Sequence, residues 1–224
     1  MSRSLSGQSG SAAKADMPLQ NRVDPYAAIH ADPARGTFMG NRGGCFHTTD
    51  RTLKRTHWKS RQWIICRLDF KGRKRELMAP GKYTELFFLD EATALAAGHR
   101  PCFECRREEA RAFKDALVQA GVLDKSASVA DIDGLIAGEV QERLRGKAMA
   151  EFAQADALPD GAIFDWDGGA WLKLGDRCLP WSFEGYRRPV TAPTVSVKVL
   201  TPHATLGALA AGYEPDIHLS ADRN

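Results

Sequence analysis

The sequence predicts an α+β protein with a β-rich first half, a helical middle, and a β-hairpin followed by a helix at its end. Residues 62–70, Gln-Trp-Ile-Ile-Cys-Arg-Leu-Asp-Phe, are rich in the β-branched and aromatic side chains typical of strands. Residues 106–120 place Ala110, Phe113 and Leu117 on one helical face, opposite a face of mixed charge. Residues 166–171, Trp-Asp-Gly-Gly-Ala-Trp, are typical of a hairpin turn.

Before residue 62, the sequence predicts little regular structure. Residues 1–20 are small and polar, which predicts a disordered tail. Residues 21–44 contain two prolines and four glycines, which predict a loop. A strand is expected at 45–53. After the strand at 62–70, Lys71-Gly72 predicts a turn and residues 73–78 a returning strand, so that the two form a hairpin.

A short strand at residues 85–88 leads into the helical middle. Asp90 can N-cap a helix over residues 91–97, and Gly98 ends that helix. After the helix at 106–120, a second and less regular helical region covers residues 129–152.

The C-terminal part follows with the hairpin, strands at 172–179 and 195–200, and a last helix that begins at Thr201-Pro202 and ends at Gly212. We expect a zinc-bearing module over residues 21–107 and an α+β region over residues 108–224 packed on it.

Composition points to a protein of the reducing cytoplasm. The chain of 224 residues is 43% hydrophobic, enough to build a buried core. No apolar stretch approaches the length that spans a bilayer, and the first residues lack the apolar segment of a signal peptide. An odd number of cysteines without such a segment favours reduced thiols. The five cysteines are Cys45, Cys66, Cys102, Cys105 and Cys178.

Cys102 and Cys105 have the spacing of metal ligands. Two thiolates separated by two residues reach one ion from a tight turn, and the amides after the first cysteine can hydrogen-bond to its sulfur. A redox dithiol is the competing interpretation. Because an Arg-Pro pair precedes the cysteines and further ligand residues occur upstream, the sequence favours half of a zinc site.

Residues 87–106 resemble the zinc domain of the bacterial Ada DNA-repair protein and the small Ada-like metal-binding modules of other bacterial proteins. In those modules a strand and a short helix ending in Ala-Gly-aromatic-Arg-Pro precede Cys-x2-Cys; here Ala-Gly-His-Arg-Pro precedes Cys102. His99 takes the aromatic position, where packing is expected. Upstream, Gly40-Asn41 and then Phe46-His47 are similar to the Gly-Asn and aromatic-His segment of the modules.

The resemblance covers residues 38–107 and implies a Zn²⁺ held by His47, Cys102 and Cys105. The chain departs from the family because no cysteine follows His47 at short spacing and because the insert between the two halves is longer and very basic. Cys66 is our choice for the fourth ligand, since zinc prefers sulfur in closed structural sites. A buried core thiol is the alternative role for Cys66. Cys45, Asp50 and His57 remain open as ligands in its place.

Two enzyme interpretations compete with structural zinc. Pro-Cys-x-x-Cys is half of the zinc deaminase signature, but none of the six histidines has a glutamate two residues later. The Ada resemblance also implies a zinc-bound thiolate that accepts an alkyl group. Its acceptor is an N-terminal ligand cysteine, and that position is His47 here. This alternative therefore depends on an exposed Cys45 or Cys66 as the ligand. A zinc hydrolase acting on nucleotides or nucleic acid is the other enzyme alternative, and its zinc would leave one coordination position to water.

The insert predicts a nucleic-acid partner. Residues 51–75 carry a local net charge of +9 against +3 for the whole chain, and two tryptophans lie among the cations. Cations position phosphates, and aromatic faces can stack unpaired bases. A solvated hairpin face with buried tryptophans is the alternative. The candidate contacts are Lys54, Arg55, Trp58, Lys59, Arg61, Arg73, Lys74, Arg75, Arg100, Arg106 and Arg107.

Overall fold

Two six-stranded sheets and four α-helices make up the part of the chain that the computed structural model describes, residues 17–73 and 76–222. The α+β prediction is confirmed. Most of the predicted tail lies outside the described residues, and the first strand begins at Gln20.

The first sheet is built from the N-terminal half of the chain in the order β2-β1-β5-β3-β4-β6. Its strands are β1 (Gln20–Val23), β2 (Ile29–Ala31), β3 (Phe38–Arg42), β4 (Trp63–Arg67), β5 (Leu86–Phe88) and β6 (Arg100–Pro101). The predicted loop at 21–44 is thus wrong for β1, β2 and β3. Gly40 lies inside β3, where only glycine fits because a Cβ would stand 2.3 Å from the Ile64 carbonyl oxygen.

The predicted basic hairpin is also wrong. Residues 45–53 contain only an isolated bridge between His47 and Leu53. A returning strand was predicted at 73–78, and the described residues of this range, 73 and 76–78, form no strand. Instead β4 pairs antiparallel with β3 and parallel with β6. The basic residues therefore lie in long connections on either side of β4.

Four helices follow the predicted positions closely. They are α1 (Glu91–Ala96), α2 (Arg107–Gln119), α3 (Val129–Leu144) and α4 (His203–Ala210). Asp90 caps α1 by accepting from the Thr93 amide, and Gly98 follows the helix with a φ of 82°. The predicted helical region at 129–152 is shorter than expected, because α3 ends at Leu144 and Gly146 turns the chain with a φ of 69°.

The second sheet has the order β11-β10-β9-β8-β12-β7. Its strands are β7 (Phe152–Gln154), β8 (Ile163–Trp166), β9 (Gly169–Leu174), β10 (Arg177–Pro180), β11 (Val190–Thr191) and β12 (Ser196–Val199). The hairpin of β8 and β9 is present as predicted, with Asp167 and Gly168 both at positive φ in its turn. The predicted strand at 172–179 is two antiparallel strands, because Gly175 turns the chain between them.

Side chains alternate across the first sheet, so its two faces have different surroundings. Trp63 and Ile65 of β4 face a hydrophobic cluster that also contains Phe164 and Val197 of the second sheet. Ile64 and Cys66 alternate with them and are only partly buried. One face of the first sheet therefore meets the core, and the other is available for a site.

Candidate metal centre

Three cysteine thiols meet at the edge of the first sheet. β4 carries Cys66, and β6 runs parallel to β4 with Ile65 paired to Pro101. The Cys102 amide donates to the Ile65 carbonyl over 3.0 Å, which places Cys102 beside Cys66. A tight turn then returns Cys105 to the same place, and the three sulfur atoms lie within 4.8 Å of one another.

The start of α2 fixes this turn. The Arg106 amide donates to the Cys102 carbonyl over 2.9 Å, and the Glu104 amide donates to the Cys102 sulfur over 3.4 Å. Amide donors to sulfur stabilise the thiolate that a metal requires. The predicted hydrogen bond from an amide after Cys102 to the Cys102 sulfur is therefore present.

The three thiols compete for protons because they are so close together. Hydrogen bonds from the Cys105 and Cys66 thiols, aided by backbone amides, lower the pKa of Cys102 far below that of a free cysteine. Hydrogen bonds with Cys102 and Cys105, together with burial, raise the pKa of Cys66. The hydrogen bond with Cys102 likewise raises the pKa of Cys105. One thiolate is thus favoured without a metal, and a bound cation would stabilise the other two.

The cluster has the composition of a site for a soft or borderline metal. A zinc ion about 2.3 Å from each sulfur would hold the three sulfurs roughly 3.8 Å apart, within the observed 4.8 Å limit. Thiolate ligands select Zn²⁺, Cu⁺ or iron–sulfur clusters over hard cations. Cys66, Cys102 and Cys105 could therefore hold a metal ion.

His47 is not brought to the three thiols. Its Nδ1 lies 2.7 Å from the Thr84 hydroxyl and its Nε2 lies 3.2 Å from the Ala79 carbonyl oxygen. The imidazole is 98% buried in this setting and connects the loop after β3 to the segment before β5. The physical reason is that residues 45–53 form a loop instead of the expected strand, so His47 points to a different neighbour.

The other proposed fourth ligands also lie elsewhere. Cys45 sits beside His47, with its sulfur 3.8 Å from the imidazole Nδ1. Asp50 hydrogen-bonds to Thr48 and Thr52 on the surface. Neither these residues nor His57 belongs to the metal-ligand group found in the described part of the chain. Cys178 is a buried core residue and lies apart from the three thiols.

A cavity of about 380 Å³ adjoins the three thiols on the outward face of the first sheet. Met39 and Asn41 of β3, Ile64 of β4 and Phe87 of β5 provide side chains of this face. The connection after β4 supplies the opposite wall. The residues around the cavity are Met39, Gly40, Asn41, Gly43, Gln62, Ile64, Cys66, Arg67, Leu68, Phe70, Arg73, Leu77, Tyr83, Glu85, Phe87, Cys102, Glu104 and Cys105.

Two polar side chains of the cavity are almost fully buried. Glu85 is 2% exposed and its Oε2 accepts a hydrogen bond from the Met78 amide over 2.8 Å. Asn41 is 8% exposed and its amide nitrogen donates to the carbonyls of Gly44 and Thr84. Sequence reasoning missed Glu85, although the polar residue at the start of an otherwise apolar strand was a signal.

The predicted nucleic-acid contacts divide into several groups. Lys54, Arg55, Lys59 and Arg61 are exposed in the connection between β3 and β4. Trp58 beside them is half-buried, with its ring centroid 5.9 Å from that of Trp63, so it packs on the core. These four cations form the exposed basic loop.

The remaining predicted cations are placed differently. Arg73 is exposed and pairs with Glu104 over 2.9 Å, and Arg107 is exposed at the start of α2. Arg100 and Arg106 are corrections to the prediction, because both are buried in ion pairs, with Asp133 and Glu91 respectively. Lys74 and Arg75 lie outside the described residues.

Comparisons with protein-family models, with curated proteins and with solved structures find no match to this chain. Within residues 17–73 and 76–222, no helix has both the length and the apolar character needed to cross a bilayer.

Proposed function

We propose that this chain is a zinc-binding protein whose ion is held by the thiolates of Cys66, Cys102 and Cys105. The observation that carries the proposal is the convergence of three sulfur atoms within 4.8 Å from two separate segments of the chain. The Ada-like resemblance supports it for the half that contains Cys102 and Cys105. Zinc is the ion proposed because thiolates in a tight turn are its usual structural ligands.

The metal has a structural role in this proposal. It joins β4 to the turn before α2, at the edge of a sheet where β6 contributes only two residues. The three thiols line the cavity, and His47 does not reach them because it is held by Thr84 and Ala79, so we assign the fourth position to a group in the cavity. Three thiolates already donate much charge to the ion, so a bound water would be only weakly acidified. This favours binding over the alternative of hydrolysis.

The test compares metal content in matched variants. We expect Cys66→Ser to lower zinc affinity at least tenfold, because serine supplies no thiolate, whereas Cys45→Ser should bind one zinc per chain as the parent does. Zinc would be measured by competition with a chromogenic chelator. Equal zinc affinity for Cys66→Ser and the parent would contradict the proposal.

His47→Ala separates the two possible ligand sets. Because His47 hydrogen-bonds to Thr84 and Ala79, its loss should destabilise the fold while leaving the metal stoichiometry unchanged. Loss of zinc from a folded His47→Ala protein would instead support the set with His47.

Nucleic-acid binding is a second proposal, and the exposed basic loop favours it. No ion pair within the described residues involves Lys54, Arg55, Lys59 or Arg61, so their charges are available to phosphates. Trp58 packs inward, which favours backbone contacts over base stacking. We expect weak binding to nucleic acid that falls steeply as salt rises.

Fluorescence anisotropy with a labelled oligonucleotide at two salt concentrations would measure this. Replacing Lys54 and Lys59 by Gln should reduce both the affinity and its salt dependence, while Lys125→Gln, an exposed cation outside the basic loop, is the control. Binding that does not respond to salt would exclude the loop as the contact surface.

A further inference from the structure

The cavity beside the three thiols is lined by groups that a bound metal ion alone would not require. Its lining combines the three cysteines with apolar and aromatic side chains and with the buried polar side chains of Asn41 and Glu85. A volume of about 380 Å³ falls within the range of small-molecule sites. What the cavity binds can therefore be argued from the groups that face it.

Glu85 gives the first constraint. A carboxylate that is 98% buried requires partners, yet among the described residues only the Met78 amide donates to it, through Oε2. Within that part of the chain Glu85 has no ion pair. Its Oε1 has no hydrogen-bond partner there and is not among the fully buried unpaired atoms, so it borders open space in the cavity. Burial of a carboxylate without compensation is costly. A ligand with a cationic N–H group would supply the missing partner.

Asn41 points to the same type of ligand. Both hydrogens of its amide group are used, by the Gly44 and Thr84 carbonyls at 3.1 Å each. The group left for a ligand is the carbonyl oxygen, which only accepts hydrogen bonds. The register of β3 and β5 pairs Gly40 with Leu86, so the next step brings Asn41 beside Glu85. The two buried polar side chains of the cavity therefore offer acceptors to a ligand and not donors.

The charge of the cavity agrees with a cationic ligand. A zinc ion with three thiolates carries a formal charge of −1, and the Glu85 carboxylate adds another negative charge. The cations at the rim are already paired, Arg67 with Glu109 over 3.1 Å and Arg73 with Glu104 over 2.9 Å. The interior is thus electronegative, although the surrounding connections are basic.

We propose that the cavity binds a small aminothiol, whose ammonium group pairs with Glu85 and Asn41 and whose sulfur occupies the fourth position of the metal centre. This inference rests on the proposed zinc site. The thiol releases its proton to solvent when the sulfur–metal bond forms, and sulfur is the donor that completes such a site best. Ideal strand spacing puts the Glu85 and Cys66 Cα atoms about 12 Å apart. Once the side chains extend, a ligand with roughly 4–7 Å between sulfur and nitrogen spans the gap.

The experiment uses the full chain loaded with Co²⁺, whose visible spectrum reports the number of thiolate ligands. The probe is 3-aminopropane-1-thiol, and its matched control is 3-mercaptopropan-1-ol, which has the same length without the charge. We expect the aminothiol to raise the thiolate-to-cobalt absorption to the level of four thiolates, with at least tenfold higher affinity than the hydroxythiol. Dialysis would confirm that the cobalt stays on the protein.

Variants separate the ammonium contact from the metal contact. Glu85→Gln keeps the acceptor for the Met78 amide but loses the charge, so we expect the tenfold preference to fall below threefold while Co²⁺ still binds. Glu108→Gln, an exposed carboxylate of α2 outside the cavity and without an ion pair among the described residues, should keep the preference. Cobalt binding with no spectral change on adding aminothiol would overturn this inference and leave the zinc site standing. Equal preference in the parent and Glu85→Gln would also overturn it, and failure to bind cobalt would overturn both.

Discussion

His99 shows how one side chain is fixed by its neighbours. Its ring is fully buried, 5.2 Å from the Trp63 ring and 4.6 Å from the Phe88 ring between centroids. Nδ1 donates to the Ala94 carbonyl, and Nε2 accepts from the Arg42 guanidinium over 3.3 Å. These contacts suit the neutral imidazole. Burial and the Arg42 charge lower the pKa of His99 well below that of a free histidine.

This lowered pKa predicts a loss of stability in acid. The unfolded chain takes up a proton at His99 below about pH 6.5, whereas the folded chain does not. Stability should therefore fall by up to about 1.4 kcal/mol per pH unit from about pH 6.5 down to the lower folded pKa. In urea unfolding between pH 7.5 and 5, the parent should lose more stability than His99→Gln. Identical pH dependence of the two proteins would contradict this account.

Individual residues of the candidate metal site differ in how far the sequence alone can identify them. Cys102 and Cys105 were found because their spacing alone brings them to one point. Cys66 was correctly placed next to them, since it lies on the clearest strand. His47 was proposed from the family resemblance alone, and its partners Thr84 and Ala79 lie more than 30 positions away in the chain. Long-range contacts of this kind leave no local pattern.

Among the elements, α1 and its stop signal are the most constrained. All six residues of α1 are buried, and its cap Asp90 also accepts from the Tyr186 hydroxyl over 2.8 Å. Gly98 follows in the left-handed region, and a Cβ there would lie 2.7 Å from a Val140 methyl group. Gly121 occupies the equivalent position after α2, but no atom lies within 4 Å of its would-be Cβ.

The two glycines form a matched pair of substitutions. Gly121→Ala should cost about 1 kcal/mol for the positive φ alone. Gly98→Ala should cost about 3 kcal/mol, because the clash with Val140 adds to the same conformational cost. Chemical denaturation of both variants would measure the difference. Similar losses would mean that Val140 moves aside easily.

Elements with strong end signals were thus predictable, and elements without them were not. Asp90 and Gly98 bracket α1, and Gly168 marks the β8–β9 hairpin. In contrast, β1, β2 and β3 are three to five residues long and lie among prolines and glycines. Their pairing is decided by the neighbouring strands and not by their own composition.

At the scale of the whole molecule, the two sheets share one hydrophobic cluster. It contains Trp63 and Ile65 of the first sheet, Phe113 and Ile136 of the helices, and Phe164 of the second sheet. The sequence predicted two regions packed together but gave no way to locate their contact. That contact depends on which faces of several helices turn inward.

A shared core predicts that the effect of the metal extends beyond the first sheet. Removing the proposed zinc ion with a chelator should destabilise the protein by about 4 kcal/mol at a zinc concentration 1,000 times its dissociation constant. Hydrogen exchange should then accelerate together in peptides from β4 and β9. Loss of protection in β4 alone would show that the two sheets unfold separately.

Because side chains alternate along β3 and β4, the same two strands build both the core and the wall of the cavity. Ile65 belongs to the core face, while Asn41 and Cys66 belong to the cavity face. Point substitutions on the cavity face can thus change what is bound with little change in the core. Deleting a single residue from β4 would exchange the faces and put a thiol where Ile65 packs. These two strands should therefore tolerate substitutions on the cavity face better than any change in strand length.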